Sequence, residues 1–265
     1  MANAGLQFEW CILHIIAVKS GMEKNEDSVQ AAREYAAAPA AVKKDAAKAV
    51  DAVLKKYGQP KKVEKTSGGG TEPKTDLYIT MKNGKNLKCS LKYGGAIQLS
   101  SAGVKTTVQF ISGILKAYSR ESRKDAQKCA KILKILAQFE HQYGDLGKIT
   151  QASATKILVE ARKFGAELQA ILGTRTEPDV PKENKAIKLA IVEEAITGKY
   201  TFGANSKLSA DHILTETEIL KVDSKLIAEV AGKTSVRLAL KGRGKTVQRG
   251  KEVRLNEIVV RFDTA

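Results

Sequence analysis

The stretch TDLYITMKNGKNLKCSLKYGGAIQ, residues 75–98, decides the fold that we predict for this chain. Apolar residues alternate with polar ones on both sides of its central Asn-Gly pair, and a period of two predicts two half-buried strands. Asn-Gly favours a hairpin because both residues accept positive φ angles. In an antiparallel pair turned at Asn-Gly, Asp76 lies level with Ser90 to Lys92. The sequence therefore predicts a hairpin with a carboxylate and an ammonium group at its open end.

An open end of this composition suits chemistry on phosphate esters. Mg²⁺ takes oxygen ligands, usually one or two carboxylates together with phosphate oxygens of the substrate. A neighbouring lysine can orient or deprotonate the attacking water and stabilise the charge that develops on phosphorus. Asp76 and Lys92 are therefore candidates for metal binding and catalysis. The alternative is an ordinary surface hairpin in a lysine-rich protein.

The residues Pro73-Lys74-Thr75-Asp76 and Ser90-Leu91-Lys92 resemble the motif of the PD-(D/E)xK nuclease superfamily. In that family an acid enters one strand, and Glu or Asp, any residue and Lys follow on the next strand. The resemblance covers mainly residues 5–108. It implies a restriction-endonuclease-like core, DNA as the substrate and Mg²⁺ or Mn²⁺ as the cofactor. It also implies that Asp76 and the Leu91 carbonyl bind the metal and that Lys92 orients the water.

The chain departs from this motif at Ser90, where the family usually has a carboxylate. Ser90 remains a candidate site residue, but another acid would have to complete the metal site. Members of the family often carry an acid on the first helix, and Glu9 is the preferred candidate here, in a helix predicted for residues 6–18. Glu34 is the second candidate. The alternative for Glu9 is a surface acid that interacts with the helix dipole, and Glu34 could simply be exposed.

Three further residues are secondary candidates. Gln98 follows Lys92 in a segment that resembles the corresponding part of some restriction-type endonucleases. Glu193 and Glu194 precede a helix end that Gly198 predicts. Either acid could be an extra metal ligand, and the alternative for both is an ordinary capped helix end.

A second resemblance concerns the origin of the chain and carries no chemistry. Residues 193–203, the run Phe8-Glu9-Trp10 and the hairpin motif are together similar to proteins of large tailed bacteriophages. This similarity implies a phage-encoded protein in the cytoplasm of a bacterial host or in a virion. Components of phage replication, packaging or the virion are then candidate partners. It also leaves a second function open, an inactive nuclease-like relative that binds DNA or builds the virion, which Ser90 favours.

The charge of the chain indicates a polyanionic partner. The formal net charge is +16, while aromatic residues are only 5% of the sequence. DNA binding through phosphate contacts, which depends on salt, fits this composition better than base stacking does. Binding to a membrane surface is the alternative, and the lack of a long basic amphipathic helix with bulky aromatics disfavours it.

The remaining composition excludes several classes of protein. The three cysteines are widely spaced, which predicts small buried residues in a reducing compartment rather than a disulfide framework. The three histidines are isolated, so the sequence predicts no zinc site. No apolar run is long enough to span a bilayer, and we expect neither a secretory leader nor a membrane partner.

The overall prediction is an α+β fold with a small mixed sheet. Asp27-Ser28 predicts the start of a helical segment ending at Gly58 and interrupted at Pro39. We predict loops at 59–74 and 94–103, helices throughout 104–195, and strands at 210–219, 235–241 and 252–262. One division of the chain is a nuclease-like core at 1–146 and a helical and basic β region at 147–265. The alternative is one domain with a helical insertion.

Between the last two predicted strands lies a glycine-rich basic segment. It contains no acid, and a flexible cationic hairpin tip suits contact with the DNA backbone, although a solubilising loop is the alternative. The five cations that we assign to this tip are Lys241, Arg243, Lys245, Arg249 and Lys251.

Overall fold

The chain forms two compact units that interrupt each other in sequence. A computed structural model describes residues 4–66, 74–94, 98–174, 180–248 and 250–264. The first unit comprises Met1–Ile97 and Ile196–Leu226, and the second comprises Gln98–Ala195 and Ile227–Ala265. The predicted α+β class is confirmed. The boundary predicted near residue 147 lies inside the second unit, which separates the two halves of the first.

The described residues form nine α-helices and nine strands. The helices are α1 (Ala4–Ser20), α2 (Glu26–Ala37), α3 (Ala40–Tyr57), α4 (Val104–Glu121), α5 (Ala126–Tyr143), α6 (Gln151–Leu172), α7 (Lys182–Thr197), α8 (Lys199–Phe202) and α9 (Ser224–Lys233). The strands are β1 (Pro60–Lys65), β2 (Leu77–Met81), β3 (Asn86–Leu91), β4 (Gln98–Gly103), β5 (Ile149–Thr150), β6 (His212–Leu214), β7 (Ile219–Lys221), β8 (Thr234–Gln248) and β9 (Lys251–Thr264). A short 3₁₀ turn spans Arg123–Asp125.

The first unit contains a five-stranded mixed sheet in the order β1-β2-β3-β6-β7. The predicted hairpin is confirmed, since β2 and β3 are antiparallel with Leu77 opposite Cys89. Gly84 in its turn has φ 84°, a left-handed value that glycine adopts without strain. β6 returns parallel to β3, with Leu91 paired to Leu214. This parallel return gives β3 a neighbour on each side, which makes it an interior strand.

One face of this sheet packs against α1, α2 and α3. Alternate residues of the hairpin are fully buried there, and they join apolar residues from all three helices in one core. Proline and glycine bound α3 as predicted, because Pro39 precedes it and Gly58, with φ 86°, ends it. The predicted start of α2 was wrong. The N-cap is Asn25, whose side chain accepts from the Ser28 N–H, and Ser28 completes the capping box as the third helical residue.

The second unit contains four long helices and a long hairpin. The predicted helices of residues 104–195 are confirmed as α4, α5, α6 and most of α7. β8 and β9 pair over almost their whole length, and β9 pairs along its other edge with β4 and then β5. None of the described helices has the length and apolar character that crossing a bilayer requires.

Three predicted irregular segments are regular structure. The segment predicted as a loop at 59–74 contains β1, and the one at 94–103 contains β4. The strand predicted at 235–241 continues to Gln248, so the basic segment predicted as a flexible tip is mostly extended strand. In each case tertiary pairing imposes extended backbone on a polar sequence that has few apolar residues of its own.

Candidate functional site

Asp76 lies at the open end of the β2–β3 hairpin, where the sequence predicts it. Its N–H donates to the Cys89 carbonyl at 2.8 Å, which continues the antiparallel ladder by one residue beyond β2. Its carboxylate Oδ2 accepts from the Leu91 N–H at 2.6 Å. A charge-assisted bond of this kind is roughly twice as strong as a neutral one. The Asp76 side chain therefore takes the place of a ladder partner just before β2 begins.

The ladder also sets the direction of the Leu91 carbonyl. Cys89 and Leu91 both direct their bonded backbone groups to the β2 side of β3, the first through its carbonyl and the second through its N–H. Within an extended residue the N–H and C=O point the same way across the sheet. The Leu91 carbonyl therefore lies on the same side of β3 as the Asp76 carboxylate.

Ser90 and Lys92 share the sheet face opposite the helical core, because side chains alternate along a strand. Ser90 is buried, and its hydroxyl donates to Asp76 Oδ2 over a long 3.5 Å. Lys92 is half-buried just after β3, and its N–H donates to the Leu214 carbonyl of β6 at 3.0 Å. The parallel pairing of β6 with β3 thus fixes the backbone from which the Lys92 side chain extends.

The residues after Lys92 are held as firmly as the strand before them. The Tyr93 ring stacks on Phe8 of α1 with ring centres 4.6 Å apart, and its hydroxyl donates to Asp45 of α3 at 3.4 Å. The Gly94 N–H donates to the Glu216 carboxylate at 2.6 Å. These contacts anchor the chain on both sides of Lys92.

Glu9 lies on α1 and forms an ion pair with Lys65 at the end of β1. Both side chains are largely buried, with 13% of Glu9 and 26% of Lys65 exposed. The Lys65 ammonium also lies 4.8 Å from the centre of the Trp10 ring. Burial lowers the pKa of Lys65, and the negative charge of Asp76 opposes that shift. Lys65 is thus within electrostatic reach of two candidate metal ligands, one of which it contacts.

Sequence reasoning missed Lys65 because it assigned this residue to a loop. The signal available was weak, since Val63 is the one aliphatic residue among the six residues of β1. The partner of Lys65 lies far away in sequence, on α1, and no local pattern links the two.

A polar network beside the site was also missed. His212 is buried, with its Nε2 2.9 Å from the Tyr57 hydroxyl and its Nδ1 2.5 Å from the Asp211 carboxylate. The same carboxylate accepts from the Lys88 N–H at 2.8 Å. Burial raises the pKa of the Cys89 thiol, which lies opposite His212 on β3. The network joins α3, β3 and β6, and so it aligns the strand that anchors Lys92.

The other predicted site residues lie elsewhere or outside the described residues. Glu34 is on α2, where it accepts from the Gln30 amide at 2.9 Å. Glu193 is half-buried and Glu194 fully buried on α7, in the part of α7 that belongs to the second unit. Gln98 begins β4, but its side chain lies outside the described residues, as does the glycine run at 68–70.

The candidate metal donors of the first unit are all oxygen atoms. Among the described residues, no three His, Cys, Asp or Glu side chains cluster as a metal site. The candidate donors are instead the carboxylates of Asp76 and Glu9 and the Leu91 carbonyl, all of them oxygen. Mg²⁺ commonly binds one or two carboxylates and keeps several waters, so this set suits it.

The basic segment of β8 is less positive than predicted, because acids of β9 lie across from its cations. Arg243 forms an ion pair with Glu257, and Lys245 pairs with Glu252 at 2.6 Å. The prediction of a segment without acids overlooked this pairing across the hairpin. Arg249 lies outside the described residues, whereas Lys241 is in β8 and Lys251 begins β9.

Comparison with known proteins identifies no relative. No family model, curated protein or solved structure matches the chain. The function proposed below therefore rests on the residues of this chain and their geometry.

The bond between Asp76 and Leu91 predicts a graded loss of stability. Asp76→Ala leaves the Leu91 N–H without its acceptor, and we expect it to lower the free energy of unfolding by about 1–3 kcal/mol. Asp76→Asn keeps an acceptor oxygen, so its free energy of unfolding should fall clearly less. Denaturant unfolding followed by the fluorescence of Trp10, the single tryptophan, reports on the first unit. The control is Asp51→Ala on α3, where the carboxylate is 69% exposed. An Asp76→Ala loss no larger than that of the control would show that the bond does not hold the strand end.

Proposed function

We propose that this protein is a Mg²⁺-dependent nuclease that hydrolyses phosphodiester bonds of DNA. The observation that carries the proposal is the position of the Asp76 carboxylate. It is bonded to the Leu91 N–H at the open end of the hairpin and lies on the same side of β3 as the Leu91 carbonyl. Lys92 follows directly and is anchored by β6. An acid, a carbonyl and a lysine thus meet at one strand end.

The residues divide the chemistry among them. Asp76, Glu9 and the Leu91 carbonyl would hold the cation, which when bound supplies Lewis-acid polarisation of a phosphoryl oxygen. The Lys92 ammonium orients the attacking water and offsets negative charge on the phosphoryl oxygens. The water oxygen forms a bond to phosphorus as the bond to the leaving strand oxygen breaks. In this proposal Ser90 binds no metal and positions Asp76 through its hydroxyl.

The overall charge supports DNA as the substrate. A net charge of +16 favours a phosphate backbone, and the binding energy would come from many separate contacts. The resemblance to tailed-phage proteins suggests that the DNA is encountered in the cytoplasm of an infected bacterium or in the virion. Phage replication or packaging components would then be the protein partners.

A second candidate is an inactive nuclease-like protein that binds DNA or serves as a virion component. Two observations favour it: Ser90 offers no carboxylate, and Lys65 already neutralises Glu9. Incubating supercoiled plasmid DNA with the protein and Mg²⁺, beside the same reaction with EDTA, separates the two candidates. Cleavage that EDTA abolishes supports the nuclease, whereas DNA binding without cleavage supports the inactive relative.

Lys92 gives the sharpest test of the catalytic assignment. Lys92→Ala should reduce plasmid cleavage at least about a hundredfold and change DNA affinity little, because its ammonium acts on the transition state. The matched control is Lys82→Ala, an exposed lysine in the turn at the other end of the same hairpin. Cleavage rate and affinity are measured on the same plasmid. If Lys92→Ala cuts at the rate of the control, Lys92 is not the catalytic lysine.

The β8–β9 hairpin gives a separate test of DNA binding. If its cations contact phosphates, replacing Arg243, Lys245 and Arg249 by Gln should weaken binding. The slope of log affinity against log salt should also fall by about 0.9 for each phosphate of duplex DNA that the variant no longer neutralises. The weakening should be the same on two unrelated duplexes, because phosphate contacts carry no sequence information.

The matched control for this titration removes three exposed lysines from the first unit. It carries Gln at Lys24, Lys44 and Lys55. Equal slopes for the hairpin and control variants would mean that the hairpin makes no specific phosphate contacts. Its ion pairs with Glu252 and Glu257 would then account for those cations.

A further inference from the structure

Lys65 lies next to residues to which the proposed function assigns a metal ion. Its ammonium pairs with Glu9, and the charge of Asp76 also acts on it. The backbone holds Lys65 there, because the next residue, Thr66, donates its N–H to the Asp76 carbonyl at 3.2 Å. Lys65 itself pairs with Leu77, the neighbour of Asp76, in the β1–β2 ladder. The backbone pairing of β1 with β2 thus fixes the position from which the Lys65 side chain extends.

The formal charges at the strand end balance without any added cation. The candidate site residues comprise two carboxylates, Glu9 and Asp76, two ammonium groups, Lys65 and Lys92, and the neutral Ser90. A divalent cation that binds both carboxylates would therefore stand beside a lysine that is largely buried, and little water would screen their repulsion. Lys65 contacts Oε1 of Glu9, so a metal ion that binds this oxygen competes with the ammonium for it.

We propose that Lys65 is an internal competitor for the metal, holding Glu9 until a divalent cation displaces its ammonium. The proposal rests on the nuclease function proposed above. Displacement requires the Lys65 ammonium to leave Glu9, and its flexible four-carbon stem permits this. The metal-free protein then binds cations weakly. A DNA phosphate, by accepting the released ammonium, increases the affinity for metal.

The test is a calorimetric titration of Mn²⁺ into the DNA-free protein. Lys65→Met keeps the apolar stem and removes the charge, so we expect the affinity for Mn²⁺ to rise at least about tenfold. The matched control is Lys62→Met on the same strand, where the lysine is 51% exposed and pairs with Glu64. This control should leave the affinity within about twofold of the parent.

A second background separates competition at Glu9 from a general loss of positive charge. Glu9→Gln removes the carboxylate for which Lys65 and the metal ion compete. Adding Lys65→Met to this variant should therefore give little further increase in the affinity for Mn²⁺. An equal increase in both backgrounds would overturn the proposal, and so would an unchanged or weaker affinity in Lys65→Met alone. Should Lys65→Met fold poorly, Lys65→Gln is titrated instead, and the rise in its melting temperature with Mn²⁺ should exceed that of the parent.

The outcomes for Lys65 and for the nuclease function are distinguishable. If the parent cleaves plasmid DNA but parent and Lys65→Met bind Mn²⁺ with equal affinity, the role of Lys65 is overturned. The proposed nuclease function is then still supported. An increase in Mn²⁺ affinity without cleavage by any variant supports competition at Glu9 and overturns the nuclease. If neither protein binds Mn²⁺, the role of Lys65 is overturned, and plasmid cleavage with Mg²⁺ against EDTA decides the nuclease on its own.

Discussion

The hydrogen bond from the Leu91 N–H to the Asp76 carboxylate, 2.6 Å long, sets the geometry on which the rest of the candidate site depends. Asp76 lies just before β2 begins, and this bond takes the place of a strand partner for the last residue of β3. The Leu91 carbonyl lies on the same side of β3 as the Asp76 carboxylate, and strand alternation places Ser90 and Lys92 on one sheet face. From the other side, β6 secures Lys92 through the Leu214 carbonyl. Under the proposed function, the carboxylate that completes the ladder at this strand end would also bind the metal.

Local sequence could predict the hairpin, but it could not predict the sheet around it. The alternation of residues 77–81 and the Asn-Gly turn are local signals, and so they were sufficient for β2 and β3. β1 and β4 are polar segments that become strands because a long-range partner supplies their hydrogen bonds. The parallel pairing of β6 with β3 spans the whole inserted second unit, and three residues carry too little periodicity to reveal it.

In the candidate site, too, contacts within the hairpin could be predicted from the sequence, whereas contacts between distant segments could not. Hairpin register placed Asp76 level with Ser90 correctly, because one turn fixes both strands. Lys65 was missed because its partner Glu9 lies on a helix that no local rule relates to β1. The basic segment was predicted to be more positive than it is. Its acidic partners, Glu252 and Glu257, were present in the sequence, but the strand predicted at 235–241 ended before Arg243 and Lys245, so their pairing was missed.

Paramagnetic NMR with trace Mn²⁺ tests most directly the claim that a divalent cation binds at the end of β3. In ¹⁵N-labelled protein, the amide signals of Leu91, Lys92 and Gly94 should broaden first, because the Leu91 carbonyl and the Asp76 carboxylate are proposed ligands. Asp76→Asn should remove that broadening and leave the spectrum otherwise folded. Broadening that persists in Asp76→Asn, or that appears first along β8 and β9, would contradict a metal site built on Asp76 and Leu91.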